Sequence, residues 1–363
     1  MASISSPEVD VAIGKNSNAW GTVQDLTSVG KLVHCRSIGL QADFGEFKSQ
    51  EMGFDFFYTE CVRLALTVNV TLTFDLSYNS HFNQLFAAFM GVDSSSLAGG
   101  TTAYQHLMQL QSNNVGKHLT LAWKIEDDAT IEIPSLKVAS MTISSETNNV
   151  GTVTFNCIGD RLVARGSATN TTTILNALTY PSYQAAPLGS LFGTNHYCRI
   201  HDYSTGTALS SSHDRNILSY NLNIQRPLQP LMPLRGALSP YTMEPFQVSP
   251  TTGTFSFLLY RLDDADMNLI GDWQVQTKKM AEIYLDGAVI ASGGGLNRSI
   301  KLQLPYMDPG PSIPTGHDFS GFALMQQGQE YQLLQAGAAP AGMSGVTNVC
   351  RVVSVDERAT AYI

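Results

Sequence analysis

From Val62 to Leu76 every even position is apolar, while the odd positions carry Arg63, Ala65, Thr67, Asn69, Thr71, Thr73 and Asp75. Such strict alternation predicts an antiparallel strand with one face on a core and the other in water. At about 3.3 Å per residue the strand would run roughly 50 Å, far beyond the usual five or six residues. Its wet face is Thr and Asn, with charges only at the ends. Shorter alternating runs recur at 119–125, 153–157, 218–224 and 300–304. Helices are few. One is expected after a Ser80 N-cap, with Phe82, Leu85, Phe86, Phe89 and Met90 at helical spacing until Gly91. A second is expected over 264–270, capped by Asp264, with Met267 and Ile270 turned inward and Gly271 as its stop.

An internal repeat with a period near 180 residues organises these elements. Ser37-Ile38-Gly39-Leu40 corresponds to Ser219-Tyr220-Asn221-Leu222, and Thr71-Leu72-Thr73-Phe74 to Gly253-Thr254-Phe255-Ser256. The two helices fall opposite one another. Leu119-Thr120-Leu121 falls opposite Ile300-Lys301-Leu302, Ser140 opposite Ser320, and Thr152–Phe155 near Glu330–Leu333. Each copy reads strand, long loop, strand, helix, strand and a closing strand pair. The expected fold is therefore mainly β: two tandem β-sandwich or barrel units, each with one flanking α-helix. The divisions are a flexible N-terminal arm at 1–30, a first unit at 31–165, a connector at 166–200, and a second unit with C-terminal extension at 201–363. Long loops are expected at 42–60 and 225–252, beyond the length at which a structureless connection needs a functional reason. The extension opens on AGAAPAGMSG and ends in a strand-like stretch at 349–353.

Length fits this division, since 363 residues make two domains, each able to bury a core. Charged residues are only 14%, so much of the surface must be neutral polar, and 21 Lys and Arg against 30 acids give −9. That balance excludes a dedicated nucleic-acid clamp and argues against adhesion to an anionic membrane. No apolar stretch approaches a membrane span. The start, MASISSPEVDVAIG, has neither a basic nor an apolar signal region, so export by a signal peptide is not expected. Cys35, Cys61, Cys157, Cys198 and Cys350 are odd in number and scattered, as free thiols of a reducing compartment are. The glycosylation-type triplets at Asn69, Asn170 and Asn297 then carry no meaning.

No catalytic or metal-binding pattern stands out. His196, Cys198, His201 and Asp202 lie close in sequence but match no zinc spacing, and structural or surface roles are the plainer reading. Asp264, Asp266 and Asn268 open like a calcium loop, yet Leu269 and Val275 replace the required Gly and Glu. Gly293-Gly294-Gly295 lacks the Lys-Ser/Thr of a phosphate loop and reads as a hairpin tip, and Asp127-Asp128 reads as a turn. His81, His106, His118, His213 and His317 are isolated. The expectation is no enzyme, no catalytic or metal residues and no cofactor. Trp20, Trp123 and Trp273 are scattered instead of clustered as in a carbohydrate-binding module.

The order of elements resembles the tail tube proteins of long-tailed, non-contractile bacteriophages, in the version with two fused tube units per subunit. The resemblance covers about residues 31–363. It implies a structural virion protein, assembled in the host cytoplasm. Its homotrimeric rings would mimic hexamers and stack into a tube that conducts double-stranded DNA without binding it specifically. The implied partners are further copies of the chain, a tape-measure protein and tail-tip or terminator proteins, with no membrane. The two long loops would cross to adjacent subunits or the next ring. Removing 228–250 would then leave a folded subunit that no longer polymerises. The alternatives are another virion β-protein (capsid, decoration or tail-terminator subunit) and a carbohydrate-binding β-sandwich.

Overall fold

A computed structural model describes residues 9–48, 61–78, 83–125, 129–146, 149–163, 167–180, 196–231, 242–260, 268–315 and 326–363. The chain is mainly β. The first part holds β1 (Val9–Asn16), β2 (Gly30–Val33), β3 (Cys35–Lys48), β4 (Cys61–Asp75), α1 (Asn83–Met90), β5 (Asp93–Gly99), β6 (Ala103–Gln109), β7 (His118–Ile125), β8 (Ala129–Glu146), β9 (Thr152–Gly159) and α2 (Thr172–Ala177). There follow β10 (Tyr197–Asp202), β11 (Ile217–Gln225), the two-residue pair β12 (Leu228–Gln229) and β13 (Phe246–Gln247), and β14 (Thr252–Tyr260). The chain ends with α3 (Leu269–Val275), β15 (Lys279–Val289), β16 (Asn297–Pro309), β17 (Gln326–Leu333) and β18 (Arg351–Asp356).

All strands but β12 and β13 belong to one branched sheet, and no part of it closes on itself. Hydrogen bonding runs β1-β7-β8-β9-β4-β3 in the first part, every step antiparallel. It runs β10-β15-β16-β17-β14-β11 in the second, again antiparallel throughout. In each run the helix follows the strand that is second from the end, α1 after β4 and α3 after β14. The runs join where β11 pairs with Ser140–Glu146 of β8, and β18 ties β16 of the second run to the β5–β6 hairpin. At a third place the β5–β6 turn sits on the β15–β16 turn. Gly100 adopts φ +57° there, and a Cβ on it would lie 2.0 Å from the Ser292 carbonyl oxygen.

The alternation at 62–76 becomes β4, with Leu66, Val68, Val70, Leu72 and Phe74 buried. The main cluster of buried apolar residues runs from Val11 to Tyr362 and draws on both parts of the chain, beside a smaller one of Ala12, Leu26, Leu32, Ala122 and Leu175. The β8–β11 seam is the reason, because a single apolar row crosses it: Phe74, Val153, Ile143, Leu222, Phe255 and Tyr331 stand side by side on successive strands.

Several expectations change. The N-terminal arm holds β1, which pairs along its whole length with β7 and also with β2. Residues 42–48 continue β3 opposite β4 and are not loop. The connector contains α2 and β10. The second helix, α3, starts at Leu269, with Asn268 as its N-cap, whose side chain accepts the Gly271 N–H at 3.1 Å. Gly271 thus lies in its first turn and does not end it. The match of Leu119–Leu121 to Ile300–Leu302 sets β7 against β16, whereas the pairing order sets β7 against β15. The β5–β6 hairpin, inserted after α1 alone, shifts the offset. Ser80 and Phe82, proposed for the first helix, and Asp264 and Met267, proposed for the second, lie outside the described residues.

Candidate functional site

The pairing places eight strand segments side by side in the order β3-β4-β9-β8-β11-β14-β17-β16. Alternation along each strand gives this sheet two unlike faces. The core face carries the apolar row described above. On the other face one row reads Ser37, Thr73, Thr154, Thr142, Asn223, Thr254, Gln332 and Asp308, a single residue from each strand. The next row reads Asp75, Thr152, Ser144, Asn221, Ser256 and Glu330. Neither row contains Lys or Arg. Arg36, at the margin, has its guanidinium 3.5 Å from Asp75.

Side chains on this face satisfy one another across strands. Thr71 Oγ1 donates to Asn156 Oδ1 at 2.9 Å, and Asn156 Nδ2 donates to Ser140 Oγ at 2.9 Å. Thr73 and Thr154 hydroxyls lie 3.3 Å apart, and those of Ser144 and Thr152 2.8 Å apart. Short hydroxyl and amide groups held in this way present dipoles to water, and the cations that meet the two rows, Arg36 at Asp75 and Lys278 at Asp308 (Nζ to Oδ2 2.6 Å), are each paired with a carboxylate. A concavity of about 680 Å³ opens over the second row, lined by Ser144, Asn221, Ser256 and Glu330 together with Ser312 and Ile313.

At the run's two margins, β3 pairs only with β4 among the described residues, whereas β16 pairs further with β15 and β18. Leu40 and Phe44 on β3 are 39% and 43% exposed, whereas Leu222 and Ile224 on β11 are fully buried. At the far edge residues 310–315 continue along β17. Gly310 N–H donates to the Glu330 carbonyl at 2.8 Å and Thr315 N–H to that of Gly328 at 2.9 Å.

The base of the second long loop is anchored on its own chain. Lys137 is fully buried, and burial pushes its ammonium down. Its Nζ donates to Glu244 Oε1 at 2.6 Å and to the Pro245 carbonyl at 2.8 Å. Glu244 Oε1 also accepts the Gly116 N–H at 2.7 Å, and Trp20 Nε1 donates to the Thr242 carbonyl at 3.0 Å. Arg226, at the loop's start, donates from Nη2 to the Phe89 carbonyl at the C-terminal end of α1, 2.9 Å away. Only 232–241, the tip, lies outside the described residues, as does 49–60 of the first long loop.

The sequence-flagged residues do not converge. On β10, Cys198 is buried while His201 points from the opposite face and stacks on His213 at 4.0 Å between ring centroids. Asp202 pairs with Lys279 at 2.5 Å, and His196 Nδ1 accepts the Asp286 N–H at 3.2 Å. Among the described residues no three His, Cys, Asp or Glu side chains are grouped to hold a metal. Asn268 caps α3, and Gly294 and Gly295 take positive φ in the β15–β16 turn. Asp127, Asp128, Asp264, Asp266, His81 and His317 lie outside the described residues. Burial raises the thiols of Cys157, Cys198 and Cys350, and Cys35 is pushed up to about 11.

His106, flagged only as isolated, is fully buried between two carboxylates. Its Nδ1 is 3.2 Å from Asp93 Oδ2, and its Nε2 is 3.3 Å from Asp356 Oδ1 and 2.9 Å from the Arg358 carbonyl. Burial alone would depress the imidazole, but Asp356 and Asp93 outweigh it and raise it to about 9. The same carboxylates take the Tyr362 N–H and hydroxyl, each at 2.6 Å, so the C-terminal segment is pinned to the β5–β6 hairpin. No helix among the described residues is long and apolar enough to cross a membrane. No protein family matches the sequence, and no curated protein is significantly similar to it.

Proposed function

We propose that this chain is a structural virion protein of the tail-tube kind. It polymerises into stacked rings whose bore conducts double-stranded DNA during ejection, in the tail of a long-tailed, non-contractile phage. It works without a catalytic residue or cofactor. Its partners are copies of itself, the tape-measure protein within the tube, and the tip or terminator proteins at its ends.

The observation that carries this reading is the two-faced eight-strand run, apolar against the core and hydroxyl- and amide-lined on the other side. The repeated pairing order supports the tandem-unit part, each six-strand run being one tube unit with its own helix. The arithmetic of closure supports the bore. Three chains lending eight strands each make 24; at about 4.8 Å spacing and about 40° tilt, the circumference is near 150 Å and the backbone diameter roughly 48 Å. Duplex DNA passes through such a bore with room for side chains. Each Lys or Arg on the wall would hold a phosphate and release counterions, acting as a brake. The β3 edge and the outer side of residues 310–315 along β17 are strand edges that closure into a barrel would pair.

Negative-stain electron microscopy of the purified chain tests the reading. Open-ended tubes of stacked rings are the expected outcome. Closed shells would point to a capsid or decoration role and single rings to a terminator. Monodisperse monomers under all assembly conditions would overturn the proposal.

A further inference from the structure

The seam between β8 and β11 is a template for a second seam that one chain leaves unmade. Within the chain, Leu222 stands opposite Ile143 and Ile224 opposite Met141, and the Arg226 N–H donates to the Ala139 carbonyl at 2.8 Å. Arg226 then fills the corner between β8 and the end of α1. Taking the sequence match of Ser37–Leu40 to Ser219–Leu222 as the frame, the pairing rows extend the correspondence across the two runs. Leu40, Val70 and Cys157 form one row across β3, β4 and β9, as Leu222, Phe255 and Tyr331 do across β11, β14 and β17. β3 therefore holds in the first run the place of β11 in the second, with Ala42 at the position of Ile224 and Phe44 at that of Arg226.

The same rows set Gln329 in the place of Phe155, the neighbour of Met141. Since Thr315 pairs with Gly328, the residue beside Gln329 is Pro314. Residues 310–315 thus occupy, along β17, the position that β8 occupies along β9. Where Arg226 fills the corner in the first half, the second half has a cleft of about 530 Å³ between α3 and Pro309-Gly310-Pro311, with Trp273 on its wall.

We propose that β3 of a second copy of this chain adds antiparallel to residues 310–315, setting its Ala42 beside Pro314 and its Phe44 into the cleft beside Trp273. This rests on the assembly reading above and names the surfaces through which it occurs. The cleft wall combines Trp273, Pro309 and Pro311 with Gln274, Gln276, Asp308 and Gln332, and its occupant would be Phe44, 43% exposed on β3. Pro311 and Pro314 lack N–H groups, so the new ladder is short. That blunts the edge against indiscriminate pairing and leaves selectivity to the cleft.

The test uses the full chain carrying Ala42→Cys and Pro314→Cys together, allowed to assemble and treated with a short bismaleimide. The expected result is a covalent ladder on a denaturing gel rising in steps of one subunit, absent from either single variant. Tubes or rings visible by microscopy with no ladder would overturn the seam while leaving the tube reading intact. Failure of the unsubstituted chain to assemble at all would overturn both. Trp273→Ala gives an independent arm: the melting temperature should hold, while the protein concentration needed for assembly rises about tenfold or more. An unchanged assembly threshold would count against the cleft.

Discussion

The two six-strand runs share a pairing order but not a degree of cover. In the first, all eight residues of α1 are buried, enclosed by β6, β8 and the Arg226 side chain. In the second, Leu269 is the only buried residue of α3, and Val275 stands 75% exposed. The edge strands differ in the same sense: Leu222 is fully buried because β8 lies beside it, and Leu40, its counterpart, is 39% exposed. The two halves are equivalent in how they are built and unequal in what surrounds them. What surrounds the first half is largely the second half. Under the proposed assembly, the exposed apolar positions are the places where neighbouring copies would pack.

The contrast predicts a graded series of effects on the isolated subunit. Phe86→Ala in α1 should cost about 3–5 kcal/mol by urea unfolding, since it opens a cavity among fully buried neighbours. Val275→Ala in α3 should stay within about 0.5 kcal/mol. A large Val275 effect would mean that α3 is covered within the monomer. Next comes the loop base. Glu244→Ala leaves the buried Lys137 ammonium without its carboxylate and should destabilise by about 3 kcal/mol. By the same argument, deleting 228–250 should unfold the subunit, whereas deleting 232–241 should leave it folded and impair polymerisation. A folded 228–250 deletion would show that the hairpin base is dispensable.

The His106 pair of contacts gives a pH effect of similar size. Its folded value, about 9, lies above the ordinary histidine value of about 6.5. The stabilisation it provides, of the order of 3 kcal/mol, is therefore complete below about pH 6.5 and lost as pH rises through about 9. Thermal melts from pH 6 to 10 should show this fall in the native chain, and a smaller one in His106→Gln. A small effect is also expected for Leu40→Ala, below about 1 kcal/mol in the monomer, against about 2–5 for Leu222→Ala. Equal costs at the two positions would break the comparison.

Strand periodicity was legible wherever apolar and less apolar residues alternate in the sequence, even in β7, where His118 to Trp123 are all buried. The 62–76 alternation and the runs at 119–125, 153–157, 218–224 and 300–304 all became strands. Strands without that pattern were not. β5, DSSSLAG, is an exposed edge with little apolar pattern, and in the middle of β8, where Ile133 to Val138 are all buried, the alternation breaks. The strand order repeated as the sequence suggested, but its offset was distorted by the β5–β6 insertion. Candidate chemistry fared differently. Lys137 with Glu244 and His106 with Asp356 are separated by 107 and 250 residues, and no local spacing announces a pair made by tertiary contact. The polar face was half visible: Thr67, Asn69, Thr71 and Thr73 gave one strand of it, and only the register revealed its continuation across the sheet.

Covalent linkage of the two runs has a kinetic consequence. In a ring closed through the seams described, every second junction is intramolecular. It forms during folding at an effective concentration far above that of free subunits. Half of the closure is thus independent of dilution. The remaining junctions, made between molecules, set the concentration at which assembly begins. A shared chain also fixes an alternating sequence of unlike interfaces around the circle, so the count of units can only be even.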